Sequence, residues 1–132
     1  MISGGCLCGA VRYQAAGDPV SAGFCHCRDC QKASGTGHVP ILGVPKTAVT
    51  VTGETRCFSV AGSSGQETKR HFCPVCGTML FGEPGRPAGF YGISAGTLDD
   101  PSIFEPRFAL FTASRQPWDR SALVLKEYEG MP

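Results

Sequence analysis

The eight cysteines of this 132-residue chain fall in short groups, and this grouping limits what the chain can fold into. Cysteines one or two positions apart are poorly placed to cross-link each other, whereas they converge readily on one metal ion. The spacing therefore predicts zinc sites and not a disulfide framework. In chain order the groups are Cys6 and Cys8, then Cys25, Cys27 and Cys30, then Cys57 alone, then Cys73 and Cys76.

The groups divide into two zinc sites of different kinds. The C-x-C pair near the start and the later C-x-x-C pair each supply half of a closed site with four thiolates. The C-x-C-x-x-C triplet supplies three ligands, which leaves the fourth position of a tetrahedral ion open. We therefore expect two zinc ions per chain, one of them structural.

Length and charge limit the remaining possibilities. A chain of 132 residues is long enough for one domain, spanning residues 1–132, with its own hydrophobic core. The formal net charge of +1 gives no strong field for nucleic acid or an anionic membrane. We find neither a secretory signal nor an apolar run long enough to cross a membrane, and we expect a cytoplasmic protein with reduced thiols. The oligomeric state stays open.

Short runs rich in Val, Phe, Thr and Tyr, separated by many glycines and prolines, predict a mostly β fold of short antiparallel strands. One short helix is predicted at residues 28–34, where good helix formers follow Cys27. The predicted strands are residues 10–15, 22–25, 37–42, 47–52, 54–60, 68–72, 78–82, 90–94 and 107–111.

The C-x-x-C pair has a competing interpretation as a thioredoxin-type redox motif. That motif opens a helix, whereas Gly77 and the β-prone Thr78 follow Cys76 here. The segment FCPVCGTM instead resembles a zinc knuckle, in which glycine permits a tight turn. A structural metal is the favoured interpretation.

Cys57 and the three histidines are less informative. Cys57 lies in the alternating segment ETRCFSVAG, where a cysteine usually packs as a small hydrophobic side chain, although a fourth ligand role for the triplet's metal stays possible. His26, His38 and His71 are interpreted as packed or surface residues, because enough cysteines exist to fill both sites. Trp118 is expected either to line a substrate cleft or to anchor the core.

The chemistry of the open site follows from its three thiolates. Strong sulfur donation makes zinc a weak activator of water, so capture of an external thiol is favoured over hydrolysis. Zinc deaminases also use cysteines, but they need a glutamate two positions after a ligand, which this chain lacks. Arg28 follows Cys27, and Lys32 lies two positions after Cys30. Both would attract an anionic substrate, unless they are only solvated helix surface.

Five segments together resemble the glutathione-dependent formaldehyde-activating enzyme family, which is grouped with centromere protein V. They are GGCLCGAV, FCHCRDCQKASG, FCPVCGTML, GTLDDP and SRQPW, and they span nearly the whole chain. The resemblance implies a β-tent fold. It also implies a structural zinc on Cys6, Cys8, Cys73 and Cys76, and a catalytic zinc on Cys25, Cys27 and Cys30.

The resemblance implies a carbon-sulfur lyase that joins glutathione, or a similar small thiol, to an aldehyde such as formaldehyde. The expected partners are therefore small molecules, with no nucleic acid and no membrane. The alternative is a non-catalytic protein-interaction domain in which both zinc ions are structural. Binding of a thiol at the second metal distinguishes the two hypotheses.

Overall fold

Short β-strands dominate the fold, and the mostly β prediction is confirmed. The computed structural model describes residues 1–62, 64–86, 89–120 and 125–132, and within these ranges it contains eleven strands and one α-helix. The strands are β1 (Ile2–Gly5), β2 (Arg12–Ala15), β3 (Ser21–Cys25), β4 (Val39–Pro45), β5 (Val49–Thr52), β6 (Arg56–Ala61), β7 (Glu67–Phe72), β8 (Met79–Glu83), β9 (Phe90–Ser94), β10 (Phe108–Leu110) and β11 (Lys126–Glu127).

The helix α1 spans Arg28–Ser34, the range that the sequence predicts. It begins after Cys27, whose Sγ accepts a hydrogen bond from the backbone N–H of Cys30 at 3.3 Å. It ends at Gly35, which adopts a left-handed conformation (φ 71°) and closes the last turn. Single 3-10 turns lie at Lys46–Ala48, Ala95–Thr97, Pro101–Ile103 and Thr112–Ser114.

The strands form two sheets. One has the order β1-β2-β5, and the other has the order β11-β10-β3-β4-β9-β8-β7-β6. Most neighbours are antiparallel, as predicted, but β10 pairs in parallel with both β3 and β11. Two strands were not predicted: β1 contains two glycines and depends on pairing with β2, and β11 is only two residues long.

The hydrophobic core lies between the sheets. Tyr13 from the three-stranded sheet and Leu42, Leu80 and Ile93 from the eight-stranded sheet are almost fully buried. Because successive side chains of a strand point to opposite faces, the alternate residues of these strands face away from the core. Such residues of the eight-stranded sheet, for example Ile41, line a cleft of about 920 Å³ on the other face of that sheet.

Gly53, between β5 and β6, permits a close backbone approach beside the first cysteine pair. Its φ is +94°, and a Cβ atom there would lie 2.1 Å from the carbonyl oxygen of Ala10. No larger residue fits without moving one of the two backbone segments. The glycine therefore helps to hold the turn after Cys8 against the three-stranded sheet.

We expect Gly53→Ala to lower the free energy of unfolding by about 2–4 kcal/mol, because backbone strain adds to a steric clash. Gly17→Ala is the matched control, since Gly17 has a φ of +86° but open space around it, so only the backbone cost of about 1–2 kcal/mol applies. Urea denaturation measures both. Equal losses in the two variants would contradict the close contact.

Candidate metal centres

Four cysteines from two turns that are distant in sequence converge on one point. We call them the four-cysteine cluster: Cys6, Cys8, Cys73 and Cys76. Their sulfur atoms all lie within 4.8 Å of one another. The Sγ atoms of Cys6 and Cys8 are 3.6 Å apart, and those of Cys8 and Cys73 are 3.8 Å apart. The structure thus brings together the two pairs that the spacing assigns to one site.

The two turns share one design. In the first, the N–H of Gly9 donates to the carbonyl of Cys6 at 3.1 Å, and in the second the N–H of Gly77 donates to the carbonyl of Cys73 at 2.9 Å. Gly9 and Gly77 have φ values of 81° and 78°, a left-handed conformation that favours glycine. Each turn therefore folds back on its first cysteine.

Backbone donors already face the sulfur atoms. The N–H of Val11 donates to Cys6 Sγ at 3.2 Å, and the N–H of Val75 donates to Cys73 Sγ at 3.4 Å. Such donors stabilise the thiolate over the thiol. Four convergent sulfurs with N–H donors are the ligand set of a closed tetrahedral zinc site, so the residues fit that ion.

The three-cysteine cluster, Cys25, Cys27 and Cys30, lies where β3 ends and α1 begins. Its sulfur atoms also lie within 4.8 Å of one another, and Cys25 and Cys30 are buried. Cys25 is held in place by the parallel pairing of β3 with β10, in which it lies opposite Leu110. All three ligands therefore come from one short segment.

The thiols of the three-cysteine cluster differ in pKa. Hydrogen bonds from the thiols of Cys25 and Cys30 hold the pKa of Cys27 well below its usual range. Donating to Cys27 raises the pKa of Cys25 above its usual range, and burial adds to the effect. A divalent cation would replace these protons, and three convergent thiolates with one open side are a suitable ligand set for zinc.

Arg70 is a site residue that the sequence analysis missed. It lies on β7 and lines the cleft, and its Nη2 is 3.8 Å from Cys30 Sγ. Its guanidinium lowers the pKa of Cys27, after the larger effects of the neighbouring cysteines and the backbone. In the sequence it follows Lys69 in a polar strand, and only the alternation of that strand could have indicated which of the two faces inward.

The two predicted substrate-binding cations occupy different positions. Arg28 lines the cleft and donates a hydrogen bond to Oε1 of Gln31. Lys32 is exposed and is not among the residues that line the cleft. The structure thus places Arg28, but not Lys32, beside the three-cysteine cluster.

Cys57 and Trp118 differ from expectation. Cys57 belongs to neither cluster among the described residues, and it is exposed because β6 is the edge strand of its sheet. The prediction that it packs as a small hydrophobic side chain is therefore wrong. Trp118 is 71% exposed and lies outside the cleft lining, so it is neither a core anchor nor a cleft residue.

The histidines divide into two environments. His71 is packed: its ring stacks on Phe81 at 4.8 Å, and its Nε2 lies 2.8 Å from Oε2 of Glu83. His26 and His38 lie next to each other, with ring centroids 5.0 Å apart. Neither of them lines the cleft.

Fold and site together define a small β-rich protein with one closed and one open cysteine cluster. Residues 1–114 match the sequence model of the glutathione-dependent formaldehyde-activating enzymes, and the chain belongs to this family. A Penicillium rubens protein provisionally named as such an enzyme is 32% identical over 93 residues, which cover 68% of this chain and 48% of that protein. The match thus spans about half the length of this curated relative.

A solved structure supports the fold. The crystal structure of a Rhodobacter sphaeroides protein superposes with a TM-score of 0.59 at 20% identity, covering 79% of this chain and 96% of that one. This likeness extends to the fold alone. Among the helices of the described residues, none has the length and apolar character needed to span a bilayer.

Replacing the buried Cys73 by Ser should remove about one equivalent of zinc and strongly lower the thermal midpoint, because binding at a closed zinc site contributes on the order of 10 kcal/mol to folding. Cys27→Ser should also remove about one equivalent while largely preserving the fold, since that cluster is local. Elemental analysis and calorimetry measure both quantities.

The matched control is Cys57→Ser, which should change neither zinc content nor thermal midpoint. A loss of zinc in this variant would make Cys57 a ligand and the second site closed. An unchanged midpoint for Cys73→Ser would argue against a structural metal.

Proposed function

We propose that the protein is a zinc-dependent carbon-sulfur lyase that joins glutathione, or a similar small thiol, to an aldehyde such as formaldehyde, or catalyses the reverse. The observation that carries this proposal is the three-cysteine cluster at the side of a large cleft. Membership of a family described by glutathione and formaldehyde supports the substrate class.

Cys25, Cys27 and Cys30 would hold the catalytic zinc, and the four-cysteine cluster would hold a structural one. Zinc held by these three thiolates would lower the pKa of a substrate thiol and so supply a nucleophilic sulfur. The new bond would join that sulfur to the carbonyl carbon of the aldehyde. The carbonyl oxygen becomes a hydroxyl by taking up one proton, so the atoms balance.

Arginines offset the charge of such a site. Three thiolates around a divalent cation leave one net negative charge, and a fourth thiolate would leave two. Arg70, 3.8 Å from Cys30 Sγ, and Arg28 at the cleft lie where they reduce this repulsion. Their guanidinium groups also match the carboxylates of glutathione. A role for the exposed Lys32 stays a prediction.

Apolar side chains surround the three-cysteine cluster. Val39 is buried against it, and further apolar residues pack around both. An apolar lining on this side limits contact of the sulfurs with water, which would strengthen electrostatic contacts at the site. The additional packed residues are Ile41, Met79, Leu110 and Phe111.

The second candidate function is a non-catalytic zinc-binding interaction domain. One observation favours it: Leu7 and Val75, at the tips of the two cysteine turns, are 90% and 75% exposed. A contiguous apolar patch, and not a single exposed apolar residue, is typical of a contact with another protein. This hypothesis requires no thiol at the three-cysteine cluster. The cytoplasmic location and the single domain of residues 1–132 stay predictions.

Glutathione should bind the zinc-loaded protein with release of a proton, so its affinity should fall as pH is lowered and protons compete for sulfur. S-methylglutathione has no thiol proton to release and should bind much more weakly. Calorimetry in two buffers of different ionisation enthalpy measures affinity and proton release together. Equal affinities without proton release would favour the interaction domain.

Arg70→Gln should weaken glutathione binding by about tenfold or more, because a charge-assisted contact contributes about 1.5–3 kcal/mol. Arg107→Gln is the control, since Arg107 is exposed, pairs with Glu105 and lies outside the cleft. Both variants should keep the wild-type zinc content. Equal affinities in the two variants would remove Arg70 from substrate binding.

A further inference from the structure

We propose that His26, His38 and Asp119 form a third metal site, which binds a divalent transition metal such as zinc. The three residues lie outside both cysteine clusters, and none of them lines the cleft. The proposal does not depend on the catalytic role of the three-cysteine cluster. Two imidazoles and one carboxylate are a common ligand set for zinc and for non-haem iron.

The ligand atoms converge on one point. Oδ2 of Asp119 lies 2.7 Å from Nδ1 of His38 and 3.2 Å from Nδ1 of His26. All three atoms lie within 4.8 Å of one another. Metal–ligand bonds of about 2.0–2.2 Å in tetrahedral geometry separate neighbouring ligands by roughly 3.3 Å. A small shift of His38, whose side chain is 28% exposed, would bring the three atoms to that separation.

His26 is the strongest indication of a ligand. Its side chain is only 4% exposed, and its Nδ1 has no hydrogen-bond partner in the described part of the chain. Oδ2 of Asp119 is close to that nitrogen but is not aligned for a hydrogen bond. A buried polar atom without a partner is unfavourable, and coordination of a metal ion by its lone pair would remove the penalty.

The surrounding structure holds these residues close together. The ring of His38 packs between Phe24, at 4.5 Å, and His26, at 5.0 Å. Asp119 packs directly on Gly37, where a Cβ atom would lie 2.5 Å from Oδ2. Only glycine at position 37 therefore lets the carboxylate reach both imidazoles.

The local charge also suits a cation. The carboxylate is the one acidic group among the three ligands, and both imidazoles coordinate metals in the neutral form. The positive charge of Arg115 acts on His26, but its Nη2 lies 2.5 Å from Oε1 of Glu127, which offsets that charge. The site thus keeps its attraction for a divalent ion.

Such an ion would brace the segment that carries the three-cysteine cluster. His26 lies between Cys25 and Cys27 in the sequence, whereas Asp119 lies beyond residue 114, where the family match ends. Metal binding would therefore tie the C-terminal part of the chain to the backbone of the cluster. We infer a structural role, because the site does not reach the cleft.

Cobalt titration of metal-free, reduced protein tests the proposal, because cobalt at the cysteine clusters replaces zinc there and restores the fold before the third site is assessed. Cobalt on cysteine sulfur gives an intense sulfur-to-metal charge-transfer band, whereas cobalt on nitrogen and oxygen ligands gives only weak d–d bands. We expect the wild-type protein to bind one equivalent that adds no charge-transfer absorbance. His38→Ala should lose that equivalent and keep the charge-transfer band unchanged.

Asp119→Asn, which conserves volume, should lose the same equivalent, so a folding defect in one variant does not decide the outcome. His71→Ala is the control and should retain it, because His71 pairs with Glu83 outside the site. The proposal is overturned if the wild type binds no such equivalent, or if both ligand variants retain it. Changes in the charge-transfer band would instead report on the cysteine clusters.

Discussion

The convergence of two cysteine turns is the constraint on which the rest of the structure depends. The first turn follows β1 of the three-stranded sheet, and the second joins β7 to β8 of the eight-stranded sheet. Cys8 and Cys73 lie 65 residues apart in the chain, yet their sulfurs are 3.8 Å apart. Closing so long a loop costs entropy, and metal binding at the closed site would offset that cost directly. The two sheets, with the core between them, meet at this point.

Because the four-cysteine cluster connects the two sheets, the three-cysteine cluster does not have to connect distant strands. Cys25, Cys27 and Cys30 come from six consecutive residues, and their backbone belongs to β3, which pairs with β10, and to the start of α1. A site that does not tie distant strands together can keep a coordination position open. The face of the eight-stranded sheet that is turned away from the core then provides the cleft beside it.

Features set by neighbouring residues could be predicted from the sequence, and features set by distant pairing could not. The cysteine groups, the helix at residues 28–34 and the mostly β pattern are local, and each follows from spacing or composition. Parallel pairing of β10, the edge position of Cys57 and the approach of Arg70 to Cys30 depend on strand order. The periodicity of one sequence does not reveal the order of strands in a sheet, so these features could be identified only from the structure.

Zinc X-ray absorption of the His38→Ala variant tests the central claim, one closed and one open thiolate site, most directly. Removing His38 leaves the two cysteine clusters as zinc ligands. Four sulfurs at one ion and three at the other predict a mean of about 3.5 sulfur ligands near 2.3 Å, and glutathione should raise that mean towards four. A mean of four without glutathione, or a sulfur count that glutathione does not change, would contradict the open site.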